Sequence, residues 1–356
     1  MTNTIIQTGT SYRIFGESVT THSELPVGTY RVTFSENSGY WLEKAPALHA
    51  GEETVYGSHE RRLHRIINTY TRLEGSRSLG ILLSGDKGMG KSLMLRMLSH
   101  AVQEQLSLPV VLVDSNTPGI VTFLNTLGPC LIVFDEFEKV FSYDEDSDAQ
   151  SQFLSLFDGT STVSRLYAVS INDIEDVSDY MINRPGRFHY HIRFDYPGED
   201  QIRQYFTDKA PTLTADQVDK VVDFSTKVPL NYDHLRAIAF EMSLNGEEFH
   251  EVIGDLNIKN VHHQSFHVQA VFEDGTTMEG VTRSDVFDPA AREATYVRGN
   301  ACSAYLNFRP SLAVTTDEHG VLEIPVDKVR VEEIEDELPA LVHMKLRRRV
   351  QSSFAF

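Results

Sequence analysis

The sequence predicts an α/β fold in which helices cover both faces of a parallel sheet. From residue 60 to about residue 195, short and continuously apolar strands alternate with helical segments. Continuous apolar strands are typical of a sheet buried on both faces, and alternation with helices is typical of parallel strand pairing. A small helical lid and β-rich segments at both ends complete the predicted architecture.

The first 50 residues are predicted to form a β-rich N-terminal segment. In the stretch TYRVTF, apolar and polar residues alternate, and Gly28 and Gly39 mark turns on either side of it. Helical periodicity begins in ERRLHRIINTYTRL, where Leu63, Ile66 and Ile67 share one face. The large α/β subdomain is therefore predicted over residues 51–197, with LGILLS, PVVLVD, CLIVF and RLYAVSI as its strands.

The remainder of the chain divides into a helical part and a second β-rich part. Residues 198–258 are predicted as the helical lid, because Thr214 and Gln217 match a capping box and Asn231 is suited to cap a further helix. The stretch SFHVQAVFEDGTTMEGVTR alternates on both sides of an Asp-Gly turn, which predicts a β-rich C-terminal domain over residues 259–335. Residues 336–356, which include KLRRRV, are predicted as a C-terminal tail.

Composition narrows the class of protein. The 356 residues carry a formal net charge of −19, which disfavours binding to nucleic acid unless a local basic surface overrides it. Two cysteines, Cys130 and Cys302, suit a reducing compartment. The first residues lack the pattern of a signal peptide, and no apolar run approaches the ~18 residues of a membrane span. A cytoplasmic protein without a membrane anchor is expected.

A phosphate-binding loop follows the strand LGILLS. The stretch GDKGMGKS fits the pattern G-x-x-x-x-G-K-[ST], and it lies between a strand and a helix as that pattern requires. Backbone N–H groups of such a loop approach phosphate oxygens, while Lys91 would reach the β and γ phosphates and Ser92 would bind Mg²⁺. The predicted nucleotide-binding residues are Gly85, Asp86, Lys87, Gly88, Met89, Gly90, Lys91 and Ser92.

Polar residues follow two further strands. In CLIVFDEFEK, Asp135 would hold Mg²⁺ and Glu136 would accept a proton from the attacking water. In AVSIND, Asn172 ends the next strand, where its amide could orient that water or contact the γ phosphate. Carboxyl ends of parallel strands meet at one edge of a sheet, which is where such folds bind ligands.

The order of these motifs resembles the AAA clade of the AAA+ ATPases, and it is also similar to AAA ATPases encoded by phages. TVYGSHERRLHRII resembles the entry segment whose backbone flanks adenine, around Tyr56 and Gly57. SQFLSLFDGT resembles the helix that follows the hydrolytic pair, and MINRPGRFHYHIRF resembles the Arg-Pro-Gly-Arg-Phe stretch of the clade. The resemblance extends from about Val55 to Leu244.

The resemblance implies an ATP hydrolase that requires ATP and Mg²⁺ and has a phosphate-loop core. It implies that Arg184 and Arg187 reach the nucleotide of a neighbouring subunit, and therefore a homo-oligomeric ring, with a hexamer favoured. Arg236 is either a second sensor of the nucleotide or a solvated helix residue, because it lies one turn beyond the expected position. The tip of the loop DSNTPGIVTF, Thr117 to Ile120, has no aromatic residue, whereas many members grip a polypeptide with an aromatic residue there.

Three functions fit these observations. The favoured one is a ring-forming, Mg²⁺-dependent ATPase that remodels a protein target. The second is a nucleic-acid motor or loader in replication or recombination, which the charge of −19 disfavours. The third is a nucleotide-controlled assembly switch with slow turnover, and it ranks last because all the hydrolytic residues are present.

Overall fold

The computed structural model describes residues 4–16, 19–49, 56–57, 59–73, 77–141, 150–157, 163–174, 176–178, 186–256, 258, 264–300, 302–333 and 338–349. These residues form two compact units. The first comprises residues 1–53, 59–84 and 92–192, and the second comprises residues 54–58, 85–91 and 193–356.

A seven-stranded sheet forms the centre of the first unit. Its order is β4–β3–β6–β7–β8–β5–β9. The pairs β3–β6, β6–β7, β7–β8 and β5–β8 are parallel, and β4 is antiparallel to β3. The strand bounds are β3 Thr29–Ser35, β4 Gly39–Ala45, β5 Leu79–Ser84, β6 Val110–Leu112, β7 Leu131–Phe134, β8 Leu166–Ile171 and β9 Tyr190–Arg193. The predicted α/β class is confirmed.

The helices of the first unit connect these strands, and the apolar residues of the helices pack against the sheet. β5, β7 and β8 are buried along their whole length, which explains their continuous apolar sequences. A group of phenylalanines, including Phe134, Phe137 and Phe153, packs edge to face in this core. The helix bounds are α1 His59–Arg72, α2 Lys91–Leu106, α3 Ile120–Asn125, α4 Phe137–Val140 and α5 Ser151–Phe157.

The predicted N-terminal segment contains two separate hairpins. β1 (Thr4–Thr8) and β2 (Ser11–Phe15) form a two-stranded sheet of their own. β3 and β4, by contrast, extend the large sheet, because Thr29 to Arg31 pair in parallel with Val110 to Leu112. The predicted boundary at residue 50 therefore does not separate two sheets.

The helical part of the second unit contains α6 Glu199–Lys209, α7 Ala215–Lys227, α8 Tyr232–Asn245 and α9 Phe249–Asp255. Thr214 and Asn231 cap α7 and α8 through their side chains, and Gly246 ends α8 in a left-handed conformation with φ of 66°. Ile202, Phe206 and Leu235 are fully buried among these helices. No helix in the described ranges has both the length and the apolar character needed to cross a membrane.

The C-terminal part of the second unit is an eight-stranded antiparallel sheet. Its order is β14–β15–β17–β10–β11–β12–β13–β16. Alternate residues of β10 are buried, and the buried cluster is built from strands of this sheet and the turns between them. The strand bounds are β10 Gln264–Phe272, β11 Thr277–Ser284, β12 Glu293–Arg298, β13 Ser303–Phe308, β14 Val314–Thr315, β15 Val321–Ile324, β16 Arg330–Glu333 and β17 Leu341–Arg348.

The prediction of a C-terminal tail over residues 336–356 is corrected for residues 341–348. These residues form β17, which lies inside the sheet between β15 and β10. Met344 and Leu346 are fully buried, and Arg348 is only 9% exposed. The alternation of inward and outward residues is the strand signal, and four basic residues in KLRRR obscure it in the sequence.

Candidate functional site

The candidate site of the first unit lies where the parallel strands end. β7 ends at Phe134 and β8 ends at Ile171, so that Asp135 and Asn172 follow directly at the same edge of the sheet. The parallel register determines this arrangement, because Phe134 pairs with Val169. This edge is the usual ligand-binding edge of an open α/β sheet.

Asp135 is held by two serines. Its Oδ1 accepts a hydrogen bond of 2.5 Å from Oγ of Ser170, and its Oδ2 accepts one of 3.3 Å from Oγ of Ser92. Ser92 and Asp135 are both exposed, and both offer the hard oxygen atoms that Mg²⁺ prefers. Within the described ranges, no group of three or more His, Cys, Asp and Glu side chains could hold a metal ion. One serine and one carboxylate fit Mg²⁺, which commonly takes its remaining ligands from phosphate and water.

Glu136 has an unusual backbone conformation. Its φ of 52° and ψ of 52° lie in the left-handed region, which is rare for a residue with a side chain and recurs at functional sites. Its backbone N–H donates to Oγ of Ser170 at 2.8 Å, and this bond holds the conformation. The carboxylate forms an ion pair with Lys139 one helical turn later.

Asn172 bonds to two carboxylates. Its side-chain Nδ2 donates to Oε1 of Glu138 at 2.6 Å and lies 3.4 Å from Oε1 of Glu136. Its backbone N–H also donates to Oε1 of Glu138, at 3.1 Å. Glu138 is not among the residues predicted above. Its only sequence signal is its place two residues after Glu136, at the start of α4.

The phosphate-binding loop belongs to the second unit up to Lys91. Gly85, Gly88 and Gly90 have φ of 144°, 76° and 94°, which a residue with a side chain rarely adopts. A methyl group on Gly85 would lie 2.4 Å from the carbonyl oxygen of Phe194. The amino group of Lys91 donates to the carbonyl of Gly85 and, at 2.9 Å, to that of Asp86.

Asn231, Tyr232 and Tyr196 of the second unit hold this loop in place. Nδ2 of Asn231 donates to the carbonyl of Lys87 at 3.0 Å, and the N–H of Tyr232 donates to the carbonyl of Gly88 at 3.1 Å. The hydroxyl of Tyr196 donates to Oδ2 of Asp86 at 2.6 Å. Burial and the adjacent Asp86 carboxylate raise the pKa of Tyr196, so its hydroxyl remains a donor. Tyr196 carries no motif signal in the sequence.

Three further residues, Tyr56, Gly57 and Met89, are predicted to contact the nucleotide. Tyr56 is 6% exposed, and its ring packs against those of Tyr205 and Tyr232, at centroid distances of 5.1 and 5.8 Å. Gly57 has φ of 88°, and Met89 is buried. The adenine contacts of Tyr56 and Gly57 stay a prediction.

The predicted arginines are also placed differently from one another. Arg184 lies outside the described residues, whereas Arg187 is described and is 5% exposed. The carbonyl of Arg187 lies close to Gly80 of β5, where a methyl group would approach it to 2.0 Å. Arg236 is paired with Asp233 at 2.7 Å and keeps 69% of its side chain exposed.

Comparisons with known proteins match part of this chain to a known family. Residues 81–196 match the family described as "ATPase family associated with various cellular activities (AAA)". This segment runs from β5 through Asp135, Glu136 and Asn172 to Tyr196. The match confirms the predicted resemblance.

Two curated relatives and one solved structure illustrate the similarity. The chain is 24% identical over 216 residues to an "AAA ATPase forming ring-shaped complexes" of Corynebacterium glutamicum (strain R), covering 51% of this chain and 40% of that protein. It is 26% identical over 178 residues to a "Proteasome-associated ATPase" of Streptomyces scabiei, covering 38% of this chain and 30% of that protein. The chain thus spans less than half the length of these relatives.

The solved structure is a chain from the "Structure of E. coli MS115-1 HORMA:CdnC:Trip13 complex". Its TM-score is 0.46 at 14% identity, with 57% of this chain and 89% of that chain covered. Similarity at this level does not bear on function.

Proposed function

We propose that the chain is a ring-forming, Mg²⁺-dependent ATPase that remodels a protein target, because residues 81–196 match the AAA family of ATPases. The observation that carries the proposal is the convergence of Asp135, Glu136 and Asn172 at one edge of the parallel sheet. These residues supply the metal ligand, the base and the amide that hydrolysis of a phosphoanhydride needs.

Nucleotide binding is assigned to the loop from Gly85 to Ser92. Its backbone N–H groups and the positive end of α2 would bind phosphate oxygens, and Lys91 would exchange its two carbonyl partners for them. Ser92 and Asp135 would hold Mg²⁺, which neutralises charge on the transferring phosphoryl group. The residues of the loop therefore bind and orient the substrate before any bond is broken.

Hydrolysis is assigned to Glu136 as the general base. A water oxygen attacks the γ phosphorus, the bond to the β–γ bridging oxygen breaks, and the proton of the water passes to the carboxylate of Glu136. Lys139 forms an ion pair with that carboxylate and so competes with the water for it. The hydrogen bond to Ser170 fixes the backbone of Glu136. Asn172, held by Glu138, keeps its amide beside the base.

Assembly into a ring, with a hexamer favoured, is supported by the Arg-Pro-Gly-Arg stretch. Arg184 and Arg187 would provide guanidinium donors to the nucleotide of a neighbouring subunit. One relative is described as forming ring-shaped complexes. Because Arg187 is buried within its own chain, the trans role requires this side chain to move outwards on assembly.

A protein target is favoured over nucleic acid. The net charge of −19 opposes the approach of a polyanion, whereas it has no such effect on a neutral or basic polypeptide. A second relative is described as associated with the proteasome. Both observations favour protein as the class of substrate.

The test compares two variants of the phosphate site. Glu136→Gln should bind ATP and form rings, but its turnover should fall by roughly 10²- to 10⁴-fold because an amide cannot accept the proton. Lys91→Ala, the matched control, should bind ATP poorly. Native mass spectrometry with and without ATP measures assembly, and crosslinking in cells identifies what each variant retains.

The outcomes separate the three candidate functions. A protein retained by Glu136→Gln alone, and remodelled by the parent with ATP after purification, supports the proposal. Turnover stimulated by DNA or RNA, with no retained protein, would establish a nucleic-acid motor instead. Rings that close with ATP but respond to neither class of target would indicate an assembly switch.

A further inference from the structure

Three strands of the C-terminal sheet present an exposed face. Tyr296 of β12 and Tyr305 of β13 are directly paired, with ring centroids 5.6 Å apart. They are 45% and 43% exposed, so both rings offer apolar surface to a ligand. On the same face, Asn307 pairs with Ala294 of β12 and with Arg330 of β16.

A basic groove lies beside the tyrosines. Asn307 lines it together with four cationic residues, which are Arg292, Arg309, Lys328 and Arg330. Lys328 is paired with Asp327 at 2.8 Å, and Arg330 lies 3.8 Å from Glu332. Arg292 and Arg309 are exposed, and neither forms an ion pair with any residue that the structure describes.

Asn307 adds an unsatisfied donor to these charges. Its Nδ2 atom is buried, and within the described ranges it has no hydrogen-bond acceptor. A buried donor without an acceptor loses its hydrogen bonds to water and gains none in the fold, which is unfavourable. An anionic oxygen bound in the groove would accept from Nδ2 and from the guanidinium groups together, which makes the groove complementary to a carboxylate or phosphate.

The groove is basic although the chain is strongly acidic. The net charge of −19 acts at long range, but salt screens such charges beyond about 8 Å at physiological ionic strength. A ligand in contact with Arg292 and Arg309 therefore experiences mainly the local positive charge. The four cationic residues of the groove therefore give this face a positive charge, although the chain as a whole is negative.

The edge of the sheet favours a polypeptide as the ligand. β16 is an end strand, so one row of its backbone N–H and C=O groups has no partner strand among the described elements. Val331 packs towards the core, while Arg330 and Glu332 point outwards. An extended peptide can pair with such an edge and place alternate side chains on the face that carries Arg330.

We propose that this face of β12, β13 and β16 docks an extended, acidic segment of a partner protein. Its carboxylates bind Arg292, Arg309 and Asn307, its backbone pairs with β16, and the two tyrosines cover its apolar atoms. The inference goes beyond the ATPase function, because docking here needs neither nucleotide nor ring assembly.

Nucleic acid fits the same face less well. Glu293 and Glu332 also line the groove and interrupt its positive charge, which suits carboxylates spaced along a peptide better than a continuous chain of phosphates. A single strand could stack bases on the tyrosines, but it has no backbone N–H groups with which to pair β16. Nucleic acid is therefore an outcome of the test and not part of the proposal.

The test measures peptide binding to the full chain without nucleotide. Fluorescence anisotropy compares a labelled peptide of alternating Glu and Val with its Lys-for-Glu counterpart and with single-stranded oligo-dT. The acidic peptide should bind, should weaken as salt is raised, and should exceed the basic peptide in affinity by about tenfold or more. N-methylation of alternate peptide nitrogens should weaken binding, because it removes the hydrogen bonds to β16.

Matched variants locate the site. The double variant Arg292→Gln with Arg309→Gln should lose about tenfold or more in affinity for the acidic peptide. The control, Arg283→Gln with Arg349→Gln, removes the same charge from exposed positions in β11 and directly after β17, and it should bind as the parent does.

Three results would overturn the proposal. These are equal binding of the acidic and basic peptides, equal losses in both double variants, and no effect of N-methylation. Tighter binding of oligo-dT, lost in the groove variant alone, would assign the face to nucleic acid instead.

Discussion

The side-chain amide of Asn172 lies 2.6 Å from Oε1 of Glu138, whereas it lies 3.4 Å from Oε1 of Glu136. The shorter bond goes to the carboxylate that no motif identifies. Since Glu138 also accepts from the backbone N–H of Asn172 at 3.1 Å, it fixes both the main chain and the side chain of that residue. Glu138 would thus position the amide beside Glu136, the proposed base.

Removing Glu138 should slow hydrolysis without impairing ATP binding. In Glu138→Ala, Asn172 loses both bonds and its amide shifts, so kcat should fall by roughly 10- to 100-fold while KM changes little. Steady-state kinetics measures both constants. Glu138→Gln keeps a carbonyl oxygen as acceptor and should recover most of the rate. A Glu138→Ala enzyme with the kcat of the parent would refute the positioning role.

Tyr196 should support nucleotide affinity through Asp86. Tyr196→Phe removes the 2.6 Å bond to the phosphate-binding loop, and a hydrogen bond to a charged group contributes about 1.5–3 kcal/mol. We expect ATP affinity to weaken by about tenfold, measured with a fluorescent nucleotide. Tyr190→Phe is the control, because its hydroxyl bonds to Thr69 at 2.6 Å and not to the loop. Equal effects of the two changes would contradict this assignment.

The two arginines should act between subunits. Arg184→Ala and Arg187→Ala should each bind ATP as the parent does, and each should lose about 10³-fold or more in rate. Mixing either variant with Glu136→Gln should restore some activity, because Glu136→Gln subunits offer intact arginines to neighbours with an intact base.

The control is native mass spectrometry of the mixture, which verifies that mixed rings form. Arg187 is buried, so a thermal melt of Arg187→Ala must show that this variant remains folded. Arg184→Ala provides a second and independent test. Absence of rescue in verified mixed rings excludes the trans role.

Stability should depend on His319 at mildly acidic pH. Burial and, secondarily, the charge of Arg348 lower the pKa of His319, whose Nε2 lies 2.8 Å from Oγ of Ser225. The unfolded chain, with a histidine pKa of about 6.5, therefore binds this proton more readily than the folded state does. The stability contributed by neutral His319 is present above that pKa and is lost as pH falls below it.

Thermal melts between about pH 7.5 and about pH 5.5 measure this dependence. Tm of the parent should fall with pH, and the fall should be smaller in His319→Gln. Some dependence should remain, because burial also lowers the pKa of His234. His250→Gln, a change at an exposed position, should behave as the parent does. Identical pH profiles of the parent and His319→Gln would exclude the effect.

The sequence by itself determined the α/β class, the phosphate-binding loop and the order of the strand-end residues. These features are local: the residues of GDKGMGKS are adjacent in the chain, and a buried parallel strand is continuously apolar. Asp135 and Asn172 could be assigned to one edge because both follow such strands.

Only the tertiary structure decided which side chains support the phosphate-binding loop and the residues at the strand ends. Glu138 and Asn172 are separated by 34 positions, and Tyr196 and Asp86 by 110, so no local pattern relates them. The same reason explains β17, whose basic residues resemble a solvated tail until strand pairing buries Arg348 against the carbonyl of Ser225. Contacts between distant residues depend on the register of strands and the packing of helices, and a single sequence records neither.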